Sequence, residues 1–185
     1  MKQTAGAESP TATVLDGDTL RLPNGDKVRL LGVDTPETGQ ALAHEATEFA
    51  RAYIEGQTIR LVPDSGERDR YGRLLADVWV DRGSLSQALL RAGLAWVYRA
   101  PDPALLAIQA EAVDARRGVH AWVGADDGVL YRPTKTSFHH PDCRLPGADR
   151  GSLPLEENPG CLFKIGLSPC RRCLPWPPSS IATGR

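Results

Sequence analysis

Carboxylates and arginines recur in three short runs of this 185-residue chain. Asp16-Gly17-Asp18-Thr19 sets two acids either side of a glycine. Arg29-Leu30-Leu31-Gly32-Val33-Asp34-Thr35-Pro36-Glu37 strings an arginine and two acids along a strand and the turn after it. Asp69-Arg70-Tyr71-Gly72-Arg73 brings an arginine to a strand start, and Gly93-Leu94-Ala95-Trp96-Val97-Tyr98 adds two aromatic side chains. Carboxylates with backbone carbonyls make an oxygen site suited to hard cations such as Ca2+ or Mg2+. Guanidinium forks match phosphate oxygens. A carboxylate beside a cation can act as general base toward water. Together these are the parts required to hydrolyse a phosphodiester. Each also has a plainer reading. Asp-Gly pairs are common turn residues. Thr-Pro-Glu is an ordinary helix entry. Arg29 and Arg73 fit a solvated surface, and Trp96 and Tyr98 fit packing. An EF-hand is a poor match, because Leu20 and Lys27 stand where its ligands belong.

A second constellation lies in the last third. His139 and Cys143 are four apart, Cys170 and Cys173 three apart, and a loop separates the pairs. That is the spacing of a structural zinc site, closed by one nitrogen and three thiolates. His140 rivals His139 as the nitrogen ligand, and Cys161 falls outside the pattern. Unligated cysteines or a disulfide remain the alternatives. A segment of some 50 residues with few large apolar groups folds poorly alone, which favours a metal.

The elements that must position these groups are short. Thr11 to Leu15, Thr19 to Leu22, Lys27 to Val33, Thr58 to Val62 and Leu74 to Val80 read as strands, broken by Gly17 and Pro23-Asn24-Gly25-Asp26. A helix is expected over 39–55, with Leu42, Ala46, Phe49 and Tyr53 on one face. Another spans 85–92, with Ser84 as cap and Gly93 as stop. A third begins at the cap Asp102 and Pro103, presents Leu105, Ile108, Ala112 and Ala115, and stops at Gly118. The expected class is α+β, mainly β: a five-stranded OB-fold barrel with three packed helices and a small C-terminal Cys/His module. The expected layout is a barrel domain over 11–123, a linker within 123–128, a zinc-binding module over 131–176 and a disordered tail over 177–185.

Charge is uneven. Residues 12–122 carry 13 Lys+Arg against 16 Asp+Glu, whereas residues 131–185 carry 8 against 4. The basic segment, with Arg144, Arg150, Lys164, Arg171 and Arg172, is the better match for a polyanion and is expected to add salt-sensitive affinity for nucleic acid. No apolar run approaches the roughly 18 residues of a membrane span. The N-terminus has no apolar segment of a signal peptide, so a cytoplasmic address is expected by default, with export left open if a leader is missing.

From Val14 to Trp122 the ordered set VLDGDT, VRLLGVDTPET, DRYGRLLA, ALLRAGLAWVY and RRGVHAW resembles the staphylococcal nuclease (thermonuclease) family. The loop between Thr38 and Glu45 is shorter than in that family. The resemblance implies a Ca2+-dependent nuclease that cleaves DNA and RNA with little sequence preference. It implies Asp18 and Asp34 as Ca2+ ligands, with the Thr35 carbonyl as a third and Asp16 behind them. Glu37 resembles the general base, Arg29 and Arg73 the phosphate-binding arginines, and Tyr71 and Tyr98 tyrosines near the nucleotide. The Cys/His segment resembles a short zinc-binding module found behind some bacterial nucleases and in a DNA-alkylation repair protein. A monomer with DNA and RNA as partners and no membrane contact is expected. The competing readings are a catalytically silent nucleic-acid-binding barrel and a scaffold for partner binding.

Overall fold

A computed structural model describes residues 8–9, 11–99, 102–122, 131–144 and 159–171. The first part of the chain runs β1 (Glu8–Ser9), β2 (Thr13–Asp16), β3 (Thr19–Arg21), β4 (Lys27–Leu30), β5 (Val33–Asp34) and α1 (Ala43–Ile54). It continues as β6 (Ile59–Arg68), β7 (Leu74–Val80), β8 (Gly83–Ser84), α2 (Leu85–Ala92), β9 (Trp96–Val97) and α3 (Pro103–Asp114), then a 3-10 turn over Gly118–Trp122. The main sheet has the order β1-β6-β7-β4-β3-β2, with β8 on β7. The β4–β7 pair is parallel, and the remaining pairs of this sheet are antiparallel.

The described pairings follow an open path with β1 and β2 at its ends, so the architecture is OB-like α+β. Alternation drives the sheet: Ala76, Val78 and Val80 on β7 are buried while Leu75, Asp77 and Trp79 are half-buried. The inward residues meet Ala46, Ala50 and Ile54 of α1 and Leu85 and Leu89 of α2 in one core.

Both expected caps are present. Ser84 Oγ accepts from Gln87 N at 3.2 Å, and Asp102 Oδ1 accepts from Ala104 N at 2.7 Å. Gly93 closes α2 at φ 69°. It also has no room for a side chain, because a Cβ there would lie 2.1 Å from the Arg117 carbonyl oxygen. The 3-10 turn is drawn to that spot by Val119 N donating to Gly93 O at 2.8 Å.

Several boundaries differ from the sequence expectation. The first helix begins at Ala43, not residue 39, because Gln40 N donates back to Glu37 O and Leu42 adopts a left-handed φ of 64°. The strand expected over 27–33 is two strands, broken at Gly32 with φ 71°. The strand expected over 58–62 continues to Arg68. The third helix ends at Asp114, before Gly118, and its buried residues are Gln109, Ala112 and Val113, whereas Ala115 is exposed.

The C-terminal segment adds β10 (Arg132–Pro133), β11 (Ser137–His139), α4 (Pro159–Lys164) and β12 (Ser168–Pro169), so four helices are described rather than three. β11 pairs antiparallel with β10 and parallel with β12. Its core is shared with the first part of the chain: Phe138, Leu162, Phe163 and Tyr131 pack with Trp96, Val113 and Val119. Phe138 meets Phe163 and Tyr131 edge-on, at 5.3 and 5.8 Å between ring centroids. Gln109 stitches the two parts together, accepting from Val97 N at 2.6 Å and donating to Phe163 O at 2.5 Å. The expected linker, the expected disordered tail and Cys173 lie outside the described residues. Among the described residues no helix is long and apolar enough to cross a membrane.

Candidate functional site

The site is built where β3, β4 and β5 meet. The β2–β3 turn needs Gly17, since a Cβ there would sit 2.8 Å from Thr35 Oγ1 and 2.9 Å from Ala46 Cβ. That close approach sets Asp18 against Thr35: Thr35 N and Oγ1 donate to Asp18 Oδ2 at 3.0 and 3.2 Å, and Thr19 Oγ1 donates to Oδ1 at 3.1 Å. Asp16 stands behind, accepting from Asp18 N at 3.1 Å. Burial, and then the charge of Asp18, raises the Asp16 carboxyl above the usual carboxylate range.

The break at Gly32 turns Asp34 back toward Arg29. Arg29 Nη1 donates to Leu30 O and Val33 O at 2.9 and 2.8 Å, which locks the guanidinium across the break. Its Nη2 then reaches Asp34 Oδ1 at 2.6 Å and Asp18 Oδ2 at 3.1 Å. Two buried carboxylates therefore converge on one guanidinium. Burial pushes the Asp34 carboxyl up to about 6, against the pull of Arg29 and Arg171.

Glu37 lies on the exposed turn before α1, held by its backbone N–H donating to Gln40 Oε1 at 2.8 Å. Arg73 is fixed by Asp69, whose Oδ2 accepts from Nε at 2.8 Å, and its Nη1 lies 3.5 Å from Thr19 Oγ1. The structure thus ties Asp16, Asp18, Arg29, Asp34 and Thr35 together by direct contacts, with Arg73 beside Thr19 and Glu37 joined to Asp34 through Arg171. Tyr71 stands apart, 67% exposed, with Arg70 and Arg73 over its ring at 4.7 and 5.5 Å. Tyr98 is half-buried between the guanidinium groups of Arg99 and Arg171.

One member of this site was not expected from the sequence. Arg171, expected among the nucleic-acid-binding cations, instead reaches the first part of the chain and pairs with Asp34 and Glu37. Lys164 is likewise paired, with Asp114. Arg150 and Arg172 lie outside the described residues.

The donor set of Asp18 and Asp34 is hard oxygen, which fits Ca2+ or Mg2+. The donor set of the second cluster is soft. His139, Cys143 and Cys170 are all buried, and one ligand atom from each lies within 4.8 Å of the others. His139 Nδ1 is 3.4 Å from Cys143 Sγ, while Nε2 is 3.0 Å from Ser137 Oγ, an orientation suited to a metal on Nδ1. Burial and the neighbouring Arg132 lower the His139 pKa, which keeps the imidazole neutral. His140 turns away and pairs with Asp142 at 3.5 Å. Cys161 is exposed on α4, away from the cluster.

Residues 27–122 match the family described as staphylococcal nuclease homologue. An uncharacterized endonuclease of Escherichia coli O157:H7 is 37% identical over 119 residues, covering 61% of this chain and 75% of that protein. A thermonuclease of Staphylococcus hyicus is 40% identical over 91 residues, covering 44% and 54%. Endonuclease YncB of Bacillus subtilis (strain 168) is 40% identical over 99 residues, covering 48% and 47%.

Proposed function

The chain belongs to the staphylococcal nuclease homologue family, and on that premise we propose that it is a Ca2+-dependent nuclease hydrolysing phosphodiester bonds of DNA and RNA with little sequence preference. The observation that carries this reading is the convergence of Asp18 and Asp34 on Arg29, at 3.1 and 2.6 Å. Asp18, Asp34 and the Thr35 carbonyl would hold Ca2+, which supplies positive charge where negative charge grows on the phosphate oxygens. Asp16 orients Asp18 through its backbone N–H. Arg29 and Arg73 donate to the non-bridging oxygens. Glu37 orients the attacking water and takes its proton. Tyr71 and Tyr98 flank the nucleotide. Contact is to the backbone of the nucleic acid, so base identity matters little.

The purified protein is expected to degrade single-stranded DNA, duplex DNA and RNA in Ca2+ and to stop in chelator. A cation needs the ionised Asp34 carboxylate, which takes up a proton as pH falls through about 6. Ca2+ affinity and cleavage should therefore weaken on acidification through that range and level off above it. Intact substrate across a range of Ca2+ and pH sinks the enzyme reading.

For the C-terminal part the reading is a structural zinc module over 131–176, beside a barrel domain over 11–123. The buried His139–Cys143–Cys170 cluster supports it, with Cys173 as fourth ligand. The full-length protein should contain one Zn2+ per chain. Cys143→Ser/Cys170→Ser should bind none and melt earlier, since metal binding and folding of such a segment are linked. Metal analysis checks this; zinc-free wild type, or equal zinc in both proteins, rules the site out.

A further inference from the structure

Asp34 already has a cation on it. Arg171 Nε donates to Asp34 Oδ2 at 3.0 Å, its Nη2 bonds Oδ1, and its Nη1 pairs with Glu37 Oε1 at 2.8 Å. Oδ1 accepts from Arg29 as well. Both oxygens of the acid that would hold Ca2+, and one oxygen of the proposed general base, are thus engaged by a residue 137 positions downstream. The arrangement is anchored rather than incidental. Cys170 N donates to Phe138 O at 2.9 Å, and Ser168 Oγ donates to Val97 O at 3.1 Å, so the backbone preceding Arg171 is pinned to both parts of the molecule. The guanidinium also lies 5.3 Å from the centre of the Tyr98 ring.

A guanidinium bonded to both oxygens of Asp34 takes up lone pairs that a divalent ion would use and holds a like charge at the place the ion would occupy, so the two compete. Asp34, with a side chain 1% exposed, is also costly to leave without a positive partner. Arg29 stays on Oδ1, so Arg171 can give way to an incoming divalent ion without stranding the buried carboxylate. We infer that Arg171 is the cation-threshold residue of the nuclease site: it occupies Asp34 and Glu37 until a divalent ion displaces it, and so sets the ion concentration at which the site loads. This rests on the reading of Asp18 and Asp34 as the cation ligands. Space for the displaced side chain is at hand. An open cavity of about 390 Å³ lies beside Arg171, bordered by Tyr98, Arg99, Thr136 and Ser168 and by His139 and Cys170 of the Cys/His cluster. The match to the family ends at residue 122, so this control belongs to the appended segment.

The test is calorimetric titration of Ca2+, at fixed ionic strength and without nucleic acid, into full-length wild type, Arg171→Ala, Arg171→Lys and Arg91→Ala. Arg171→Ala should bind Ca2+ on the order of tenfold more tightly, the size of a typical coupling between competing sites. Arg171→Lys should fall between, since it keeps the charge but loses the two-oxygen fork. Arg91→Ala removes an exposed positive charge elsewhere and should leave the affinity unchanged. The Ca2+ concentration for half-maximal cleavage should drop by the same factor in Arg171→Ala. Unchanged or weaker Ca2+ binding in Arg171→Ala overturns the inference and leaves the nuclease reading intact; a fall in kcat beside it assigns Arg171 to the phosphate. Equal tightening in Arg91→Ala also overturns it, as a general effect of charge. No Ca2+ binding in any of the four removes the nuclease-site reading and this inference together.

Discussion

Glu37→Gln lowers kcat for cleavage by about 10²–10⁴, the range for loss of a positioned general base. The substitution keeps the shape of the side chain and removes only its charge and its capacity to take a proton. The turn that carries it should survive, because the bond to Gln40 uses the Glu37 backbone N–H. Ca2+ binding should survive as well, since the converging acids are Asp18 and Asp34. The variant also loses one ion pair to Arg171, so its Ca2+ affinity should move slightly toward tighter binding, if at all. Single-turnover cleavage beside calorimetry separates the two effects. A wild-type rate would show that another group activates the water, and loss of Ca2+ binding would make Glu37 a ligand.

Arg29→Ala should damage both activity and stability. Its guanidinium is the donor common to Asp18 and Asp34 and also satisfies the Leu30 and Val33 carbonyls. Removing it leaves buried acceptors with fewer donors and two buried acids with less positive charge. The expected cost is about 3–5 kcal/mol, as for one partner lost from a buried ion pair, with Arg171 on Asp34 holding it to the lower end. Turnover should fall by about 10²–10³ from the lost phosphate donor alone. Urea unfolding and kcat, measured on the same preparation, test both halves. Arg29→Lys keeps the charge without the fork and should recover more of the stability than of the rate. An unfolding midpoint equal to that of wild type would show that Arg29 does not hold the strand break closed.

The residues that meet at the proposed site were legible because they sit in short runs with local signals. Gly17 between Asp16 and Asp18, and Ser84 and Asp102 as caps, are signals carried within a few positions, whereas the break at Gly32 inside the strand expected over 27–33 is not. The start of α1 was not legible: Leu42 takes a left-handed conformation that an apolar residue rarely adopts, and the helical spacing of Leu42 and Ala46 runs straight through it. Nor was the end of α3, where Val113 and Gln109 turn inward because the C-terminal segment covers them. Arg171 was missed for the same reason. Its partners are fixed by how the segment docks, and charge counting can only assign such a residue to a basic surface. Trp96 shows the limit most plainly. Packing fits Trp96 in the sequence, but what it packs against is decided by Phe163 and its neighbours, which bury it.

That shared core has a consequence for how the protein is made. The face formed by Trp96, Val113 and Val119 belongs to the part of the chain that leaves the ribosome first, whereas Phe138, Phe163 and Leu167 follow. At ~5–20 residues per second, the stretch from residue 122 to residue 171 takes roughly 2–10 s to appear. For that interval the first part of the chain lacks the C-terminal residues that bury this apolar face, a natural point for a chaperone to hold. Arrest of translation after residue 122 should therefore yield chains that aggregate or stay chaperone-bound, and release should come only once Phe163 has emerged.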